Sequence, residues 1–380
     1  MKAKTIKGKS TEEIQSALEE AMADGFIPTL ATVFLSIQMD RNAICEILDK
    51  KGIQLFGATT EGEITDSETE KNSASILLLD VNPHYFKIYF EEVSAGGYKE
   101  ATRSIALNSL KFCNDPAFIF TGSGVWQNPY IEPLLDGFRE ICGDEVNVFG
   151  GMAGDDLTLT TSYIFTNTKS SSHGVLALVF DPNKISVKGA LSCGWKPIGT
   201  SKIITSSTDN NVYAIDDEPP LALIMRYAGI KKLPDNLFDI QTELNQTLQI
   251  QLQRDNGEPI MRVGIVNMED QSLFFMGSMP EGGNIKFCLL PDLETIDETI
   301  DEIKNLKDNE IPKADAVLLF NCIGREMAFG PTIGREIEGI YTIWKSPMAG
   351  FFSQGEFGRA KGSALEVHNL ATCCVVLKEK

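Results

Sequence analysis

A glycine-bounded pattern occurs twice, far apart in the chain: Gly57-Ala-Thr-Thr-Glu-Gly62-Glu63 and Gly350-Phe-Phe-Ser-Gln-Gly355-Glu356. A second correspondence runs beside it. The apolar run Phe118-Ile119-Phe120 precedes Met152-Ala153-Gly154, and Leu318-Leu319-Phe320 precedes Met348-Ala349-Gly350 at similar spacing. His173 and His368 follow at closely matched distances, each just ahead of another apolar run. Such a recurrence constrains the fold more than any propensity does, because the same strand, helix, strand and glycine turn must be built twice. It predicts two related α/β modules in tandem, with a cleft between them.

Composition fits that expectation. With 34 Lys+Arg against 53 Asp+Glu the formal charge is −19, so the basic surface that nucleic-acid binding requires is missing and an anionic membrane repels the chain. Apolar runs such as 76–79 and 175–180 are far shorter than the roughly 20 residues that span a bilayer. The lysines of MKAKTIKGKSTEE have no apolar block behind them, unlike a secretory signal. A cytoplasmic protein with no nucleic-acid or membrane partner is expected. The cysteines contain no Cys-x-x-Cys pair, which points to reduced, packed thiols.

Ser10-Thr11-Glu12-Glu13 opens a capped amphipathic helix. Residues 31–37, 43–51 and 53–57 read as strand, helix and strand, a βαβ unit. Residues 75–81 and 85–90 flank Asn82-Pro83 and read as adjacent antiparallel strands. A helix near 101–112, strand 117–121, helix 131–142 and strand 145–149 follow. Beyond them come strands in 201–215, helix 220–227, strands near 261–277 and 284–289, and an acidic helix near 292–306. Strand 315–321, helix 333–339 and a last strand at 372–377 complete the order. Mixed sheets with flanking helices fit this pattern better than a doubly wound parallel sheet. Asp209-Asn210-Asn211 and Pro219-Pro220 place the main boundary near 209–220, giving a helical lead-in over 1–26 and modules over 27–212 and 213–380.

Glycine turns at the ends of buried strands expose backbone N–H groups and admit a ligand closely. The first turn offers Thr59 and Thr60, and the loop after 117–121 offers Trp126 and Asn128. Gly151 and Asp155 belong to the turn after 145–149. In the second module Asn321, Cys322 and Arg325 follow one strand, and Ser353, Gln354 and Glu356 lie in the glycine-rich turn. Arg325 is expected to grip a ligand carboxylate bidentately, so that its removal weakens binding and leaves the fold intact.

No Walker loop, G-x-S-x-G elbow, helix-opening G-x-G-x-x-G or clustered His/Cys set is present. Cys322 is the one thiol with an inviting sequence context, with Arg325 to favour a thiolate and His368 as a base. A Cys322-dependent enzyme is therefore an alternative to a pure binding protein. The run 292–310 holds eight Asp/Glu against two Lys, either a solvated face or a surface for a basic partner.

Five further segments carry a family likeness: Gly57-Ala-Thr-Thr-Glu-Gly-Glu-Ile64, Val148-Phe-Gly-Gly-Met-Ala-Gly-Asp-Asp156, Cys193-Gly-Trp-Lys-Pro-Ile-Gly199, Phe320-Asn-Cys-Ile-Gly-Arg325 and Pro347-Met-Ala-Gly-Phe-Phe-Ser-Gln-Gly-Glu356. With His368-Asn-Leu-Ala-Thr372 they resemble the FIST family over residues 27 to 380. The resemblance implies tandem FIST N and FIST C modules and a prokaryotic sensory input domain that binds a small, amino-acid-like ligand. Its implied partner is a signalling protein such as a histidine kinase or a cyclic-di-GMP enzyme, here a separate chain. It also implies an alternative, since some relatives are haem proteins that sense nitric oxide through an axial histidine. Haem b would then be held non-covalently by His368 or His173.

Overall fold

Strand Leu30–Leu35 is buried at every position and Gln54–Thr59 at all but its first. They lie parallel, with Val33 opposite Gly57. Helix Arg41–Lys50 connects them, capped by Asp40 Oδ1 accepting from Ala43 N at 3.0 Å, and buries Ile44, Cys45 and Leu48. This is the βαβ unit expected from the sequence. A second joins Ala117–Gly122 to Asn147–Gly151 through helix Pro133–Cys142, with Phe120 opposite Gly150. A third joins Ala316–Cys322 to Met348–Ser353 through helices Ile323–Phe329 and Ile333–Trp344, with Leu319 opposite Gly350.

The computed structural model describes the chain except residues 94–96, 237–238, 241–243, 245–248 and 255–256. Among the described residues each unit is extended in the same way. An edge strand and a helix precede it: Lys2–Gly8 with Thr11–Met22, Phe86–Glu92 with Gly97–Leu110, and Ile185–Ser192 with Leu293–Asn309. A hairpin and a return strand follow it, the return strands being Ala74–Asp80, Gly174–Phe180 and Thr372–Glu379. Each return strand lies between its own edge strand and the first strand of its βαβ unit. The repeat is threefold rather than twofold.

The hairpins exchange. Glu63–Thr65 and Glu68–Glu70 extend the third unit's sheet, Ile164–Phe165 and Ser170–Ser171 the first's, and Glu356–Arg359 and Leu365–His368 the second's. Each sheet thus has six strands, two of them from another unit. Residues of all three sheets share one buried cluster, where Phe34 lies 4.8 Å from Phe351 and Phe320 5.4 Å from Phe351 between ring centroids. The helices cover the outer faces, those of each unit with their own apolar layer. Apolar burial of this kind is the main stabilising contribution.

Between Ile185–Ser192 and Leu293–Asn309 the third unit carries an insertion. Strands Pro197–Thr208, Asn211–Ile215, Gln249–Leu252, Ile260–Arg262, Gly264–Val266, Leu273–Phe275 and Asn284–Cys288 form one further sheet, covered by helix Pro220–Ala228. The division at 212/213 therefore cuts a β-hairpin, and the boundary suggested by Asp209-Asn210-Asn211 is its turn.

Three local expectations are corrected. Strands Ala74–Asp80 and Phe86–Glu92 are not paired; Asn82-Pro83 passes the chain from one sheet to the next. The lead-in 1–26 is a strand as well as a helix, since Lys2–Gly8 pairs with Ala74–Asp80 as an edge whose lysines reach solvent. The Met-Ala-Gly matches are out of register, because it is Gly150, not Gly154, that corresponds to Gly57 and Gly350. A Cβ on Gly150 or Gly350 would collide with the carbonyl oxygen of Phe120 or Leu319 on the neighbouring strand.

Candidate functional site

Beyond these glycines the three second strands converge. Gly154 N donates to Thr59 O at 2.8 Å, Glu61 N to Phe352 O at 3.0 Å and Gln354 N to Met152 O at 3.3 Å. In each bond the donor stands four residues after its glycine and the acceptor two after another unit's. The ring closes around the pseudo-threefold axis.

Carboxyl groups crowd the ring. Glu63 accepts from Thr60 Oγ1 at 2.5 Å and from Ser73 Oγ at 2.7 Å, and burial pushes it up to about 7. Its counterpart Glu356 accepts from Ser353 Oγ at 2.7 Å on one oxygen, while the other has no hydrogen-bond partner. Burial holds Glu356 well above the ordinary carboxylate range. Asp156, the third counterpart, accepts from Ser36 Oγ at 2.6 Å and is raised by burial. Glu61 accepts from Gln354 Nε2 at 2.6 Å and from Asp155 N at 3.2 Å; burial, then the charge of Asp155, push it up to about 8. Asp155 Oδ1 and Gln354 Oε1 lack partners. Desolvation is the common cause, since a buried carboxylate is favoured only when enough donors meet it.

Of the residues singled out in the sequence, Thr59, Thr60, Gly151, Asp155, Cys322, Ser353, Gln354 and Glu356 meet at this ring. Thr59 Oγ1 donates to Gly154 O at 2.6 Å, and Gly151 pairs with Glu356 across the exchanged hairpin. Asn321 and Arg325 lie elsewhere: Asn321 in a strand of the third sheet and Arg325 in the helix that follows it, both bonded to Glu336 of helix Ile333–Trp344. Arg325 is fully buried and ion-paired with Glu336. It also donates to Cys193 O at 2.7 Å, Leu370 O at 3.0 Å and Thr299 Oγ1 at 3.1 Å. Asn321 Nδ2 donates to Glu336 at 2.8 Å. With every guanidinium nitrogen engaged inside the protein, Arg325 has no fork left for a ligand, and the expectation that it grips one is corrected.

Trp126 and Asn128 form a third location, on the loop leading into helix Pro133–Cys142. That loop touches the inserted sheet, with Ile131 N donating to Met276 O at 3.0 Å and Tyr130 Oη 3.0 Å from Ser278 Oγ. Trp126 Nε1 is buried without a partner. The loop also reaches the ring: a Cβ on Gly355 would lie 3.4 Å from Ile131 Cδ1 and 3.6 Å from Asn369 Nδ2 and Met276 Sδ.

The histidines are not counterparts. His368 lies in an exchanged hairpin, whereas His173 follows one. Burial and the guanidinium groups of Arg262 and Arg254 pull the His368 imidazole down to about 3, and its Nε2 has no partner. A haem needs an apolar slab against its ligand; this imidazole has two cations and packed side chains beside it. His173 is half-buried just after a polar hairpin, edge-on to Tyr98 at 5.4 Å. Neither setting fits a haem. Cys322 lies beside Glu356, and burial with that carboxyl raises its thiol, the reverse of what a nucleophilic cysteine needs.

Glu61, Glu63, Asp156 and Glu336 were not foreseen as site residues. The first three follow from the threefold register: Gly150-x-x-x-x-Asp155-Asp156 is the missing copy of the pattern at 57 and 350. Glu336 carries no local signal.

Comparison with known families gives a consistent result. The model of the FIST N domain matches residues 29–218 and that of the FIST C domain matches residues 226–359. Fold and match together define a sensory signal-transduction module, the general role of FIST domains. The chain belongs to the FIST family. No curated protein matches it. The family division falls within the inserted sheet, so the two named domains share sheets through the exchanged hairpins. No described helix is long and apolar enough to cross a membrane.

Proposed function

We propose that this protein is a cytoplasmic sensor that binds a small, amino-acid-like molecule and reports to a separate signalling protein, such as a histidine kinase or a cyclic-di-GMP enzyme. It acts by binding and catalyses no reaction. The observation that carries this reading is a set of buried polar atoms without protein hydrogen-bond partners, on the ring, on loop 123–132 and on the exchanged hairpin. They include Trp126 Nε1, Gln354 Oε1, Asp155 Oδ1 and His368 Nε2. Buried polar groups are normally satisfied by protein, ordered water or a bound group, and these atoms call for such a partner. A ligand bridging loop 123–132 and the inserted sheet would favour one arrangement of the two, and that differential affinity would be the signal.

A thermal-shift screen of amino acids and small metabolites tests the reading, because a ligand of the folded form raises its apparent stability. At least one compound is expected to raise the midpoint, and the shift should shrink in Trp126→Ala. A screen without any response contradicts it.

A further inference from the structure

Arg262 ends strand Ile260–Arg262 of the inserted sheet and is 1% exposed. Its Nη1 donates to Val367 O at 2.6 Å, tying the inserted sheet to the exchanged hairpin. Val263 N donates to Asn369 Oδ1 at 3.3 Å beside it. The other edge of the guanidinium, Nε and Nη2, has no hydrogen-bond partner. That edge is the fork that meets a carboxylate bidentately.

The nearest anion is Glu132, whose Oε2 is ion-paired with Nη2 at 3.6 Å and accepts no hydrogen bond. Glu132 is shared with Arg139, also at 3.6 Å. An ion pair built only for stability would have closed, because a buried guanidinium with an unmade fork is costly. Arg325 shows the closed case in this same chain. Gly277 packs against the guanidinium so closely that a Cβ there would stand 2.6 Å from Arg262 Cζ and Nη2. Trp126 and Met276 belong to the apolar layer that also contains Val367, and His368, neutral and unpartnered at Nε2, comes next in the hairpin.

We propose that Arg262 is the anchor for the carboxylate of a small ligand held in the seam between the inserted sheet and loop 123–132. This rests on the ligand-binding reading above and gives it a place and a chemistry. The ligand's carboxylate takes the Nε and Nη2 edge, and its remainder lies against the Trp126 indole and Met276. Glu132 acts as a resident competitor that the ligand displaces. Entry parts Ile131 from Met276 and Tyr130 from Ser278, so occupancy bears directly on how the inserted sheet sits.

The test is a thermal-shift titration of the full-length protein with sodium acetate and sodium glutamate, against acetamide and sodium chloride at matched ionic strength. Carboxylates should raise the midpoint and acetamide should not. Glu132→Gln, which frees the fork, should respond at lower carboxylate concentration. Arg262→Lys keeps the buried charge and loses the fork, and should need at least tenfold more carboxylate for the same shift. Absence of any carboxylate response in both wild type and Glu132→Gln, or a full response in Arg262→Lys, overturns the assignment. If a metabolite without a carboxylate binds and Arg262→Lys leaves it unchanged, the anchor is refuted while the sensory reading stands. Silence to every class of compound removes both.

Discussion

Glu356 gives the sharpest handle on the ring, because its carboxyl is enclosed, receives one hydroxyl and has one oxygen without a partner. Burial holds its proton well above the ordinary range. In the unfolded chain the same group ionises near 4.3. Between that value and its raised folded value the native state binds one proton that the unfolded state lacks, so stability falls as pH rises. The slope is about 1.4 kcal/mol per pH unit for each such group. Glu63, raised to about 7, and Glu61, raised to about 8, act in the same sense. Glu356→Gln keeps the shape, leaves Oε1 to accept from Ser353, and removes one proton from the balance. As pH rises above the unfolded value the variant should therefore gain stability relative to wild type, by at most about 1.4 kcal/mol per pH unit. Urea unfolding followed by tryptophan fluorescence at constant ionic strength measures this directly. Parallel stability curves for the two proteins, or a wild type that gains on the variant as pH rises, would refute a protonated Glu356.

Arg325→Ala should destabilise by about 3–5 kcal/mol, since it strands Glu336 in the interior; a midpoint within a degree of wild type in thermal unfolding would show that the pair is expendable. Gly150→Ala should fail to reach the native state or lose several kcal/mol, because the Phe120 carbonyl occupies the space its Cβ needs; near-normal circular dichroism and melting would contradict the close strand approach. Ser10→Ala should cost about 1 kcal/mol through loss of the bond from Glu13 N, read from urea midpoints. Cys322, Cys373 and Cys374 are buried and should resist iodoacetamide until the protein unfolds, and fast native labelling of Cys322 mapped by mass spectrometry would revive the enzymatic alternative.

What the sequence revealed and what it hid have distinct physical causes. Strands such as 30–35 and 316–322 are apolar at nearly every position, and helix 11–22 carries its own cap, so local pattern located them. The glycine pattern at 57 and 350 is visible because close packing tolerates no side chain there, against the Phe165 ring at Gly57 and the Leu319 carbonyl at Gly350. Its third copy is masked where Gly62 and Gly355 correspond to Asp155, so only two copies show in the sequence. Hairpin exchange leaves no local trace: Asn82-Pro83 looks the same whether it joins paired strands or passes between sheets. Lys2–Gly8 was missed because an edge strand needs only one apolar face. Arg325 attracted attention as a lone cation, but its partner Glu336 lies in the following helix and only packing unites them. Arg262 stood out in no motif. Its unmade fork exists only because Val367, Glu132 and Gly277 come together in space.

The most direct measurement is hydrogen–deuterium exchange of the full-length protein with and without the metabolite that most raises its midpoint. The account predicts that protection concentrates in 123–132, 260–264, 276–279 and 354–356, where loop, inserted sheet and ring meet. Protection confined to the outer helices, or no change at any segment on addition of that metabolite, would contradict it.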